Sequence, residues 1–356
     1  MSPQLGLEAL QERIREAAAR GTALRLRGGG SKDFYGNAPR GEVLDTRGYA
    51  GIVAYEPTEL VVTARCGTPL AELESALHEK NQALPFEPPH FGPQATVGGC
   101  VAAGLSGPRR AAAGALRDFL LGIRLVDGRG NLLAFGGQVM KNVAGYDVSR
   151  LLAGSLGTLG LIAEASIKVL PRAPLEATVQ LKMTEERAIE ALNRWGGQPL
   201  AISASAWAGG DLAVRLSGAE AAVRAAALKI GGEPVAGAQA AAFWAGVREQ
   251  TDPFFAGEEP LWRIAVPPAT PPLRLPGRQM IEWGGGLRWL KSAAEPQVVR
   301  EAASRARGHA TLFRAERRSG EAFSPPGEVQ MRLHRSLKAA FDPAGILNPG
   351  RLYAQL

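Results

Sequence analysis

Three glycine clusters, about sixty residues apart, constrain this chain more than any other feature. Gly28-Gly29-Gly30-Ser31 follows a run in which Leu24 and Leu26 alternate with Arg25 and Arg27, the signature of a short strand. Thr96-Val97-Gly98-Gly99 and Gly154-Ser155-Leu156-Gly157-Thr158-Leu159-Gly160 make up the others. Each read alone is equally an ordinary tight turn. Taken together they offer backbone N–H groups free of Cβ obstruction at several places, which a long, bulky anionic ligand needs.

The spacing excludes two common phosphate binders. Gly154, Gly157 and Gly160 run G-x-x-G-x-x-G rather than G-x-G-x-x-G, and no G-K-[ST] follows any glycine loop. No G-x-S-x-G surrounds a serine, so the hydrolase elbow is missing as well.

Length predicts roughly two domains in 356 residues, and 46% hydrophobic with 21% charged residues is ordinary for a globular protein. The net charge of +7 does not come from basic blocks, because Lys and Arg mingle with Asp and Glu. The expectation is no nucleic-acid partner, with attraction for a small anion or an acidic subunit instead. Cys66 and Cys100 lie in no metal-ligand spacing and read as small buried hydrophobes of a reducing compartment. Leu7, Leu10 and Ile14 with Glu8, Glu12 and Arg15 form an amphipathic helix, not a leader peptide. The apolar stretch from Leu151 to Leu170 is interrupted by Gly154, Gly157, Gly160, Glu164 and Lys168, so no transmembrane segment is expected, and a cytoplasmic protein follows, membrane-associated at most through partners.

Further strands are expected at Ile52 to Tyr55 and Val61 to Ala64, then a helix capped at Thr68-Pro69 with Leu70, Leu73 and Leu77 on one face. Leu121 to Val126 and Leu132 to Phe135 flank Asp127-Gly128-Arg129-Gly130 as a hairpin. Pro171 and Pro174 mark a boundary, beyond which all six tryptophans fall. The second half alternates strands near Leu175 to Met183, Ile202 to Trp207 and Leu212 to Leu216 with helices near Glu185 to Trp195 and Ala219 to Ile230, an α+β arrangement. The proline-rich run Ala269 to Pro276 reads as a stiff connection.

In order, these elements resemble the vanillyl-alcohol-oxidase-type (PCMH-type) FAD-binding family, from Leu24 to Leu170 and again at Phe341-Asp342-Pro343-Ala344-Gly345-Ile346-Leu347-Asn348-Pro349-Gly350-Arg351. Within that family the run Gly136-Gly137-Gln138-Val139-Met140-Lys141-Asn142-Val143-Ala144-Gly145-Tyr146-Asp147, and Leu156 where most relatives carry Glu, are similar to the glycolate oxidase branch. The resemblance implies a fold of class α+β: an FAD-binding domain of two α+β subdomains over residues 1–173, a smaller α+β substrate or cap-like domain with a largely antiparallel sheet over 174–340, and a C-terminal segment, 341–356, returning to the flavin site.

It further implies FAD contacts from Arg27, Gly28, Gly29, Gly30, Ser31 and Lys32 around the pyrophosphate, with Pro89, Thr96, Val97, Gly98, Gly99, Ser106 and Gly107 along the cofactor. Arg117, Asp118, Gly154, Ser155 and Gly157 would follow, Gly160, Leu161 and Ile162 would meet the adenine end, and Asn348 and Arg351 would lie near the flavin ring. Covalent members place a histidine where this chain has Ser31-Lys32, which implies non-covalent FAD. The implied activity is oxidation of a small 2-hydroxy acid, glycolate, to the 2-oxo acid, in a complex with a paralogous FAD subunit and an iron-sulfur subunit. Relatives that hold a divalent metal do so through paired histidines, a pattern that His78, His90, His309 and His334 do not form, so no metal is expected.

Substrate chemistry calls for a cation and a proton acceptor. The candidates are Lys141, Tyr146 and Arg351, with Arg109, Arg110, Arg314, Arg317 and Arg318 as carboxylate clamps, each of which could equally be a solvated or packing side chain. His90 could touch the ring or simply pack its loop. Two other readings stay open: a flavin-containing or structural subunit without turnover, for which an exposed tryptophan patch would argue, and a stand-alone sugar or lactone oxidase of the same fold.

Overall fold

A computed structural model describes residues 6–137, 147–316 and 320–356. The expected first helix spans Leu7–Arg20, burying Leu10, Ile14 and Ala17 along one stripe, and stops at Gly21, whose φ of 66° is the left-handed cap that glycine adopts without strain. Strand Leu24–Arg27 follows and pairs in parallel with Glu42–Asp45. Next to this pair lies a five-stranded antiparallel sheet in the order Ile52–Glu56, Val61–Arg65, Leu161–Lys168, Leu120–Val126, Leu132–Gly136, the last two joined as the expected hairpin.

Helix Leu70–Glu79 lays Leu70, Leu73 and Leu77 into the core of that sheet, at about 1.5–3 kcal/mol per fully buried leucine. Its expected cap is corrected here. Thr68 makes no capping bond to the helix, because its hydroxyl accepts from the Gly51 N–H at 2.9 Å and donates to the Gly51 carbonyl at 3.1 Å, tying two loops together.

Beyond Pro171 the chain builds an eight-stranded sheet in which every pairing is antiparallel, in the order Glu233–Val235, Leu175–Lys182, Asp211–Gly218, Ile202–Ala208, Arg278–Glu282, Leu287–Lys291, Leu261–Ala265, His309–Arg314. Helices Glu185–Gly196 and Glu220–Ile230 cover one end through Leu192, Trp195, Val223 and Ile230, and Pro296–Arg305 covers the other through Val299 and Ala303. All six tryptophans are buried, so the exposed tryptophan patch that would mark a permanent interface is absent.

The last helix, Glu328–Phe341, delivers the chain back to the first half. Leu24 donates its N–H to Ile346 at 2.7 Å and accepts from Asn348 N–H at 2.8 Å, so the tail joins the parallel pair through one isolated parallel bridge. A buried ion pair holds it there: Lys338 Nζ reaches Asp342 Oδ2 at 2.7 Å and donates to the carbonyls of Thr158 and Leu347, while Asp342 accepts from the Ile346 and Leu347 amides. Burial pushes the Lys338 ammonium below its ordinary range and Asp342 opposes that fall. D342A would leave an uncompensated buried cation, and is expected to cost about 3–5 kcal/mol in urea unfolding, whereas an exposed pair such as Arg305–Glu301 should cost under about 1 kcal/mol.

Between the halves, the fully buried Glu282 accepts a hydrogen bond from Trp289 Nε1 at 2.6 Å, and burial pushes its carboxyl up to about 7 from an ordinary 4.5, against the pull of that bond and of Arg263. The unfolded chain releases this proton near pH 4.5 while the native chain keeps it until about 7, so stability falls as pH rises through that window and stays lowered above it. E282Q keeps an acceptor for Trp289 and is expected to flatten the fall by on the order of 2–3 kcal/mol between pH 4.5 and 8. Equal pH slopes for the two proteins in chemical unfolding would refute this.

Candidate functional site

The strand Leu24–Arg27 ends at the first glycine cluster, and there the backbone opens into a groove. Its floor is made by residues without side chains. A Cβ on Gly29 would stand 1.5 Å from the Gln94 carbonyl oxygen, one on Gly28 would meet Thr96 Oγ1 at 2.3 Å, and one on Gly98 would meet Cys66 Cβ at 2.6 Å. Gly30, at φ 74°, turns the chain back. Among the described residues the N–H groups of Gly28, Gly29, Gly30, Ser31 and Lys32 have no acceptor within the chain, so five amides remain for a ligand.

The groove is cationic. Arg25, Arg27, Lys32 and Arg351 line it with Asp33 as counter-charge, which holds Arg25 at 2.5 Å and Arg27 at 2.8 Å. Burial pushes the Lys32 ammonium down, partly offset by Cys100 and Glu249, while its Nζ donates to the His90 carbonyl at 3.1 Å. Cys66 and Cys100 are buried thiols pushed up to about 12, and so chemically quiet.

Asn348, on the returning tail, closes the far wall. Its Oδ1 accepts from Leu26 N–H at 2.7 Å and its Nδ2 donates to the Leu156 carbonyl at 2.6 Å, fixing the third glycine cluster against the first strand. Leu156 takes a left-handed φ of 52°, a conformation that costs a branched side chain energy and is held here by its bonds to Asn348 and Ala102. Arg351 is committed to structure: its guanidinium donates to the carbonyls of Asn37, Lys32 and Asp33 and pins the loop after the first cluster.

Of the residues expected from the sequence, Arg27, Gly28, Gly29, Gly30, Ser31, Lys32, Thr96, Gly98, Gly99, Gly157, Gly160, Leu161, Ile162, Asn348 and Arg351 line this one groove. Pro89, Ser106 and Gly107 line a second, smaller cavity between the halves, together with Gln250, Arg263 and Glu282, none of which belongs to a motif that sequence reading could catch. Val97 is buried in the core of the first half, and Gly154 packs against Gly104. Asp118, itself exposed, accepts from Ala115 N–H, and Arg117 is exposed beside it. Ser155 Oγ is buried and has no hydrogen-bond partner among the described residues.

Lys141 and Tyr146, and the run 138–146 around them, lie outside the described residues, as do Arg317 and Arg318. Arg109 is tied to Glu87, Glu176 and Ser217, Arg110 stacks 4.4 Å from the centre of the Trp283 ring, and Arg314 lies 4.3 Å from that of Phe34. His90 pairs its ring with Glu74 at 3.0 Å and its backbone with Glu249, a loop-packing arrangement. Among the described residues no group of three or more His, Cys, Asp or Glu is placed to hold a metal, and no helix is long and apolar enough to cross a membrane.

An extended cationic groove with a backbone-amide floor suits a dinucleotide pyrophosphate. The family described as FAD binding domain matches residues 7–136, and the family described as FAD linked oxidases, C-terminal domain, matches 324–352. The glycolate oxidase subunit GlcE of Escherichia coli K12 is 48% identical over 349 residues, 98% of either chain. Glycolate oxidase subunit GlcD of Bacillus subtilis is 31% identical over 43% of this chain and 33% of its own, and a D-lactate dehydrogenase of Archaeoglobus fulgidus is 33% identical over 41% and 33%. Solved alkyldihydroxyacetonephosphate synthase shares the fold at a TM-score of 0.69 and 16% identity, over 96% of this chain and 75% of that one. The chain therefore belongs to the GlcE family of glycolate oxidase subunits, an FAD-binding, FAD-dependent hydroxy-acid oxidoreductase line built on the PCMH-type fold.

Proposed function

We propose that this chain is an FAD-bearing subunit of a cytoplasmic glycolate-oxidising complex, working beside a paralogous FAD subunit and an iron-sulfur subunit that takes the electrons onward. The observation that carries the reading is the groove, where five amides without an acceptor among the described residues, four cations and three Cβ-free contacts meet at the end of one strand. In this reading residues 1–173 hold the cofactor, 174–340 form the substrate domain, and 341–356 close the flavin site.

Residues 28–32 would carry the pyrophosphate on their amides, with Arg25, Arg27 and Lys32 balancing its charge. Gly98, Gly99, Gly157 and Gly160 would leave room for the rest of the cofactor, and no histidine is available at the first loop for a covalent link, so FAD would be non-covalent. Bound FAD would accept the two electrons and the hydrogen taken from the hydroxyl-bearing carbon of the acid. The chain's own part is to orient the acid and exclude water at the boundary between its halves, where Phe91, Trp289 and Phe313 form an apolar rim.

The purified protein is expected to be yellow, to release its flavin on acid denaturation, and to bleach on anaerobic addition of glycolate. A yellow protein that stays oxidised until the partner chains are added would assign turnover elsewhere in the complex, and a colourless protein that FAD cannot reconstitute would refute the reading. G29A, whose methyl group would collide with the Gln94 carbonyl, is expected to lower flavin content at least tenfold while far-ultraviolet circular dichroism stays that of the parent.

A further inference from the structure

Lys32 enters the groove from the end of the first glycine cluster, yet its aim is fixed from the other half of the chain. Its Nζ donates to the His90 carbonyl at 3.1 Å and lies 5.7 Å from the centre of the Phe91 ring. His90 is the pivot of this arrangement. Its ring pairs with Glu74 at 3.0 Å, and its N–H and that of Phe91 both go to one carboxylate oxygen, Glu249 Oε2, at 3.0 and 2.8 Å. The other oxygen of Glu249 accepts from Arg248 Nε at 2.8 Å. A continuous line therefore runs from Glu249 through the backbone of His90 to Lys32 and into the groove.

Glu249 gains nothing from its own helix. It is the last residue of Gly237–Glu249, where the helix dipole presents partial negative charge and disfavours a carboxylate. The helix is anchored on the second half, with Ala240, Trp244 and Val247 buried and Trp244 Nε1 donating to Thr178 Oγ1 at 3.0 Å. The loop that Glu249 holds is costly to keep in shape. Glu87 at φ 46° and Phe91 at φ 53° both stand in the left-handed region, and each is clamped from the second half, the Glu87 carboxylate by Arg215 at 2.8 Å and the Phe91 N–H by Glu249. Electrostatics point the same way. Burial pushes the Lys32 ammonium down, and Cys100 and Glu249 oppose the fall. The Cys100 thiol, pushed up to about 12, is neutral near pH 7, so the lasting counter-charge is that of Glu249.

We propose that Glu249 is a positioning residue for the cofactor, holding the backbone of His90 and Phe91 so that Lys32 points into the groove and meets the pyrophosphate. Glu249 does not itself line the groove; it acts through Lys32. The inference rests on the functional reading above, which takes the groove as the FAD site, and adds that the cofactor affinity of the first half is set in part by a helix of the second. Hydrogen bonds from two amides to one carboxylate are charge-assisted and directional, so they fix the loop more tightly than a neutral acceptor would.

The test is a double-mutant cycle read by fluorescence titration of the flavin-depleted full chain with FAD. E249A is expected to raise the Kd for FAD about tenfold or more, the equivalent of one lost charge-assisted hydrogen bond, and E249Q, which keeps one oxygen for the two amides, to recover part of that loss. K32M is expected to weaken FAD by about as much as E249A, and adding E249A to K32M to change the Kd by less than about twofold, because the carboxylate then has no ammonium to place. Where E249A does not fold, E249Q and K32M complete the same cycle. A general structural role would raise the Kd equally with and without Lys32; that result, or a Kd for E249A, E249Q or K32M equal to that of the parent, overturns this inference and leaves the functional reading standing. If the parent itself cannot be reconstituted with FAD, the functional reading falls and the inference with it.

Discussion

The return of the C-terminal tail to the first strand is the contact on which the rest of the architecture depends. Lys338 and Asp342 are taken out of water together, and each fills its remaining hydrogen-bonding capacity with backbone groups of the tail and of the third glycine cluster. Pairing of this kind adds little net stability compared with apolar packing, but it admits few alternative geometries. The tail is therefore fixed in register beside Leu24, and Asn348 arrives where it can bridge Leu26 and Leu156.

From that register follows the shape of the groove. The first glycine cluster is placed by strand Leu24–Arg27, the second by the close packing of Gly98 on Cys66, and the third by Asn348. Three segments distant in sequence thus share one wall-to-wall contact system, and a side chain added at Gly28, Gly29 or Gly98 would force two of them apart. Among the described residues, 174–340 contribute nothing to the groove lining. The second half meets the first through an aromatic cluster of Tyr35, Phe91, Trp289 and Phe313, the last three of which also line the small polar cavity.

Much of this was legible from residue order alone, for a physical reason. Glycine clusters, strand alternation and a helical leucine stripe are local signals, so the early strands, the hairpin, the first two helices and most of the groove could be read before any coordinates. Thr68 was misread because a Thr-Pro pair at a helix start signals a cap, and only the tertiary placement of Gly51 shows where its hydroxyl is used. Arg117 and Asp118 sit in sequence between groove segments yet do not line the groove; a four-residue helix uses the aspartate at its own N-terminus. Arg263, Gln250 and Glu282 were invisible because they come from two strands and a helix end that meet only through an eight-stranded antiparallel sheet.

The most direct test of the account is an experimental structure of the chain with FAD bound. The account predicts pyrophosphate oxygens within about 2.7–3.2 Å of the amides of residues 28–32, with Arg25, Arg27 or Lys32 beside them and the tail of residues 346–351 closing the wall. Density for the pyrophosphate away from those amides, with the glycine loops packed shut, would contradict it.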